Sequence, residues 1–209
     1  MDYKTIKTTK VLLHICCAPC AIYPVEWLRK AGHEVRGFFY NPNIHPYIEY
    51  MARKEAVEKY AHSENLKVAC GEYEIEKFFQ NVVRDEGLKS DRCPLCWWMR
   101  LRKTAQVATV GEFEAITTTL LVSPYQDHGL IASIGVEICR NSGLLFIGED
   151  FRPGFRDARN KAKSEGIYCQ NYCGCLFSER ERYALKEKKK KTGKKIDPLE
   201  PKGPASDDG

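Results

Sequence analysis

The sequence predicts an α/β protein: an open parallel sheet of five strands flanked by helices, with cysteine-rich metal-binding loops. Three observations predict it. Short apolar runs alternate with longer stretches of helical spacing, the order that gives parallel strands joined by right-handed crossovers. The helical stretches stop at glycines such as Gly32 and Gly143, as helices commonly do. Cysteines are clustered, and the first cluster falls where the first apolar run ends.

KVLLHIC (10–16) is an apolar run of strand length. Ala18–Pro19 opens a helix, since proline suits the first turn, and AIYPVEWLRKAG carries it to Gly32. EVRGFFY (34–40) is a second strand. NPNIHP follows as a turn, because its two X-Pro steps oppose helix. YIEYMARKEAVEKYAHSEN has helical spacing and i,i+4 charge pairs, and LKVAC (66–70) is a third strand. Residues 74–109 read as mainly helical, interrupted at Gly87–Pro94. EAITTTLLV (114–122), rich in threonine and β-branched residues, is a fourth strand; SPYQDHG is a loop, LIASIGVEICRNSG a helix, and LLFIGED (144–150) a fifth strand. FRPGFRDARNKAKSEG leads from a loop into a helix, and a cysteine loop, YCQNYCGC, leads into a basic one. The end, TGKKIDPLEPKGPASDDG, has the composition of a disordered tail. Residues 1–185 are therefore expected to form one α/β domain, and 186–209 a basic, flexible tail.

The chain has 209 residues, which suits one domain of roughly 150 residues with a small appendage. Its net charge of +5 admits a nucleic-acid partner without identifying one. No stretch approaches the ~20 apolar residues of a membrane span, and MDYKTIKTTK lacks the apolar core of a secretory signal. The expectation is a cytoplasmic chain with no membrane partner, where thiols stay reduced and disulfides explain little. There is no Walker loop and no GxGxxG.

Ten cysteines are many for such a chain. They group as Cys16, Cys17, Cys20; Cys93, Cys96; and Cys169, Cys173, Cys175, with only Cys70 and Cys139 apart. Cysteines used as small core hydrophobes would be scattered. Cys16 and Cys17 stand at a strand end and helix start, where aligned N–H groups favour thiolate, the form that binds metal. Cys20 lies one turn into the helix, which suits a supporting or structural role. A structural zinc site from Cys93, Cys96, Cys173 and Cys175 is one reading; a thioredoxin-like Cys17–Cys20 pair is another. Six clustered thiols exceed one tetrahedral site, however. A cluster plus a second metal, or a cluster plus a redox dithiol, fits the count better.

Other side chains are less distinctive. His14 reads as a satisfied core histidine. His45 and His128 sit in expected loops and are candidates for substrate contact. Asp91, Asp127, Asp150 and Asp157 are candidate acids, and spacing selects none. Trp97 and Trp98 suit a core more than a stacking platform, and Lys186–Lys195 a solvated face able to attract phosphates. In a parallel sheet, ligands bind at the carboxyl ends of the strands. The turn after strand one, SPYQDHG and EDFRPG are all expected on that side.

Taken together, LLHICCAPC, NPNIHPYIEYMARKEA, DRCPLCWWMRLRKTA, TTTLLVSPYQDH and EDFRPGFRDARNKAKSEGIYCQNYCGCLFSERE resemble the QueH family of epoxyqueuosine reductases, in family order over about residues 10 to 183. The combination HxCCAPC, RCxxCxxxR and YCGCxFS is far more specific than any one piece. The resemblance implies a Rossmann-like fold similar to the nucleotide α-hydrolases. It implies reduction of epoxyqueuosine to queuosine in the anticodon loop of tRNA, without cobalamin. It also implies a [4Fe-4S] cluster and an adjacent mononuclear iron, shared by Cys16, Cys17, Cys93, Cys96, Cys173 and Cys175. Cys169 stands where relatives carry arginine. A low-potential donor such as a ferredoxin or flavodoxin is the expected partner, and Asp127, His128, Asp150 and Arg152 are the catalytic candidates. The rivals are a zinc-stabilised RNA-binding module without redox activity and a thiol oxidoreductase using Cys17 and Cys20.

Overall fold

The computed structural model of the chain describes residues 9–82 and 89–192. Five parallel strands form one sheet in the order β3-β2-β1-β4-β5: β1 (Lys10–Ile15), β2 (Glu34–Phe39), β3 (Val68–Cys70), β4 (Ala115–Thr118) and β5 (Leu145–Phe146). Seven α-helices accompany them among the described residues: α1 (Ala18–Lys30), α2 (Tyr47–Ser63), α3 (Ile75–Val82), α4 (Lys89–Val110), α5 (His128–Arg140), α6 (Phe155–Ser164) and α7 (Leu176–Thr192).

Strand β1 is the middle of the sheet and is covered on both faces, which is why KVLLHI is an unbroken apolar run and not an alternating one. Its side chains still divide by parity. Leu13 and Ile15 pack with α1, α2 and α6 through Ala21, Val57 and Ala162. Leu12 packs on the other face with α4 and α5 through Leu101 and Ile131. His14 lies on that second face, fully buried, its Nδ1 2.8 Å from Thr118 Oγ1 and its Nε2 3.2 Å from the Tyr40 carbonyl. It is the satisfied core histidine expected, and burial lowers its pKa to about 4.

Several boundaries differ from the sequence reading. The fourth strand stops at Thr118, and Thr119–Val122 form a 3₁₀ turn. Thr118 ends the strand itself: its Oγ1 accepts the Leu120 N–H at 3.1 Å and caps the turn. The fifth strand shrinks to Leu145–Phe146 because it is an edge strand with only the short β4 to pair with. His128 is the first residue of α5, not part of a loop. Residues 89–94 are helical, so Cys93 and Cys96 lie within α4 and Pro94 sits in its second turn, at the loss of one backbone donor. The part of the predicted interruption at 83–88 lies outside the described residues. Helix α7 crosses the expected boundary at 185; residues 193–209 of the expected tail lie outside the described residues. Among the described residues no helix is long and apolar enough to cross a membrane.

The strand order reverses direction between β1 and β4. Loops leaving adjacent strands there depart to opposite faces and open a crevice at the carboxyl edge. The segments that border it are Cys16–Cys17 after β1 and Thr119–Val122 after β4.

Candidate metal centre

Seven thiols converge at this crevice. The sulfurs of Cys16, Cys17 and Cys20 all lie within 4.8 Å of one another, and those of Cys16 and Cys17 are 3.7 Å apart. Cys17 is the N-cap of α1 in an extended conformation, and Cys20 is one turn inside. The Cα–Cβ direction in a helix tilts toward its N-terminus, so a residue one turn in reaches the same space as the cap. Cys93 and Cys96 are presented by α4, and Cys173 and Cys175 by the loop before α7. Together with Cys16 and Cys20 they line one cavity of about 650 Å³.

The supports of these thiols come from far along the chain. Thr119 Oγ1 accepts the Cys16 N–H at 3.0 Å and donates to the Cys16 sulfur at 3.1 Å. The Gln170 amide donates to Cys17 at 2.8 Å, and the Gln126 amide approaches the Cys173 sulfur at 3.6 Å. Arg53, 1% exposed, spans α2 and the cysteine loop: its Nε pairs with Glu49 at 2.7 Å, and its terminal nitrogens donate to the Cys173 and Tyr172 carbonyls at 2.8 and 3.1 Å. Gly174 between the two loop thiols has φ +147°, a region that glycine alone enters freely.

Hydrogen bonding to Cys17 and then Cys20, with Thr119 assisting, holds the Cys16 thiol well below its usual range. Cys17 is pushed up by burial and by its bond to Cys16; Cys20 is pushed up by its bonds to Cys16 and Cys17. The trio therefore holds one negative charge readily and resists further charge without a cation. Burial likewise raises Cys93 to about 11 and Cys96 to about 12. An array of soft donors that needs a cation to ionise fully fits a thiolate-ligated metal group. Hard oxygen ligands are not among these seven side chains.

The four catalytic candidates lie elsewhere. Asp127 caps α5, accepting the Leu130 N–H at 3.0 Å, and borders a smaller neighbouring cavity. His128 meets the Ser123 carbonyl at 3.0 Å and Asp150 at 3.7 Å. Asp150 holds Arg152 in a two-pronged pair at 2.8 and 2.7 Å, and the guanidinium keeps its carboxyl down at about 2. None of these four lines the thiol cavity. His45 is buried between Phe78 and Phe79, with ring centroids at 4.9 and 5.1 Å. Trp97 is core and donates to Gln126 at 3.1 Å; Trp98 is half-exposed beneath Arg102. Cys169 stands apart from the trio, its sulfur 3.4 Å from the Ile167 carbonyl.

Fold and site define a class: a doubly wound parallel α/β protein with a cluster of thiols suited to a metal at its topological switch point. The chain belongs to the epoxyqueuosine reductase QueH family, an oxidoreductase family whose model matches residues 11–181. The QueH of Thermotoga maritima is 42% identical over 179 residues, covering 82% of this chain and 91% of that protein. The QueH of Dehalococcoides mccartyi is 34% identical over 175 residues, covering 83% of this chain and 94% of the relative. Among solved structures, the U34-tRNA thiolase NcsA from Methanococcus maripaludis with its [4Fe-4S] cluster matches with a TM-score of 0.55 at 11% identity. The match covers 91% of this chain and 69% of that one. At that identity the likeness is one of fold, and it is the Rossmann-like architecture expected from the sequence.

Proposed function

We propose that this protein reduces the epoxide of epoxyqueuosine in tRNA to the alkene of queuosine. The observation that carries this reading is the convergence of six thiols, from three separated segments, on one cavity, with Cys17 beside Cys16 and Cys20, in a chain of this family. The reaction breaks both C–O bonds of the epoxide, takes up two electrons and two protons, and releases the oxygen as water. Cys16, Cys17, Cys93, Cys96, Cys173 and Cys175 are the proposed ligands of a [4Fe-4S] cluster and an adjacent single iron, with Cys20 a seventh thiol within reach. Bound there, such a group supplies low-potential electrons one at a time and a Lewis acid for oxygen.

The remaining work falls to the chain itself. A cavity of about 650 Å³ is within the range that takes a small molecule or an extruded nucleoside. Tyr125, half-exposed at its wall beside Phe155, offers a face on which a base can stack. Lys89, Arg159, Arg182 and Lys186 also border the cavity and suit the flanking phosphates. Cys17 and Cys20 are buried, while the half-buried Cys16 opens onto the cavity. Electrons are proposed to come from a ferredoxin or flavodoxin in the cytoplasm.

The test is mass analysis of nucleosides from epoxyqueuosine-containing tRNA after anaerobic incubation with protein and reductant. The expected product is a nucleoside lighter by one oxygen. Unchanged epoxyqueuosine with an intact metal centre rejects the assignment.

A further inference from the structure

Three arginines are almost fully buried around the thiols, and they are not equivalent. Arg53 has the Glu49 carboxylate at 2.7 Å, and Arg92 has Glu181. Arg100, 1% exposed, has no carboxylate partner among the described residues. Its Nε donates to the carbonyl of Cys96 one turn back in α4, at 3.1 Å, and its Nη2 is buried with no hydrogen-bond partner. It lies on the cavity wall. Positions 93, 96 and 100 share one face of α4, so the guanidinium stands beside Cys93 and Cys96. The groups whose negative charge it feels most are Cys96, Cys173, Cys16 and Cys93, all thiols. His14, also nearby, is held neutral partly by this cation.

A guanidinium cannot shed its proton in a protein, and a buried charge without a counter-charge is costly. The negative charge that balances Arg100 must come from the sulfur assembly. We propose that Arg100 is the fixed counter-charge of the thiolate metal centre and a positioning residue for the electron-transfer step: its cation favours the more reduced, more negative state of the centre and raises its midpoint potential. The proposal rests on the reading that these thiols hold a redox-active iron–sulfur group. It goes beyond that reading in assigning control of the potential to one residue that is not a ligand.

The experiment compares wild type with Arg100→Met and Arg100→Lys, each purified anaerobically. Iron, zinc and acid-labile sulfide are measured first, then the midpoint potential by redox titration of the visible band. At equal iron and sulfide, Arg100→Met is expected to show at least a tenfold lower ratio of reduced to oxidised centre at the wild-type midpoint, a shift of about 59 mV for one electron. Arg100→Lys, which keeps the charge, should restore most of it. Loss of iron from the methionine variant but not from the lysine variant supports the same role. An unchanged potential at equal metal content overturns the proposal, as does loss of iron or fold in both variants, since shape rather than charge is then what matters. Zinc without sulfide in the wild type fails the function reading instead, so the two failures are told apart.

Discussion

Arg53 ties the cysteine loop to the body of the protein through two backbone carbonyls 119 and 120 residues away, while Glu49 balances its charge. Removing one partner of a buried pair leaves the other uncompensated, so Arg53→Ala should destabilise the fold by about 3–5 kcal/mol in denaturant titration. A loss below 1 kcal/mol would show that the clamp is dispensable. The two buried histidines give a pH signature. Burial lowers both His14 and His45 to about 4. The unfolded chain binds more protons than the folded one between that value and the ordinary 6.5, so stability is fully present above about pH 6.5 and falls as pH drops toward 4. Replacing His45 with phenylalanine removes one of the two groups, and the slope of unfolding free energy against pH in that window should become shallower. An unaltered slope would count against a neutral buried His45. At this scale the clustering of the thiols was legible from spacing alone, and the structure gathers them at one crevice. Their supports were not legible: Thr119, Gln170 and Arg53 reach the thiols or their loop across 103 to 153 residues of sequence, and nothing local marks them.

The loop YCGC depends on one backbone conformation. A Cβ on Gly174 would adopt φ +147° and approach Asn43 and Ile44 at 3.0 Å. Gly174→Ala should therefore loosen the loop, and iron retained through gel filtration should drop at least twofold; wild-type retention would mean the loop tolerates the strain. Helix α7 carries Arg182 and Lys186 to the rim of the cavity. If each meets one phosphate, Arg182→Gln and Lys186→Gln together should reduce the salt slope of tRNA binding by about two, one per lost contact. Equal affinity across a salt series would remove α7 from the tRNA surface. The elements themselves were readable because β1, α1, β2 and α2 have unambiguous apolar spacing and stops. The errors came where local propensity met a tertiary limit: the threonine-rich run after residue 114 looks like one strand, but Thr118 turns it, and β5 has no long neighbour to pair with. Likewise the interruption expected at Gly87–Pro94 does not reach Pro94, because α4 begins at Lys89. Cys20, one turn into α1, brings its sulfur within 4.8 Å of those of Cys16 and Cys17 because helical side chains tilt toward the N-terminus.

For the molecule as a whole, the sheet order explains why thiols distant in sequence share one site. The reversal between β1 and β4 makes the crevice; α4 closes it from one side and the loop before α7 from the other. A chain read as alternating strands and helices predicts a carboxyl-edge site, but strand order, and hence which loops face each other, follows from long-range pairing that no segment encodes alone. Proteins that bind a metal group through many thiols in this way release or change it together with their fold. The most direct measurement is therefore the iron, zinc and acid-labile sulfide content of the full chain purified without oxygen. Acid-labile sulfide and more than about four irons per chain are expected, one [4Fe-4S] cluster and a further iron. Zinc with no sulfide would rule out an iron–sulfur centre in this protein.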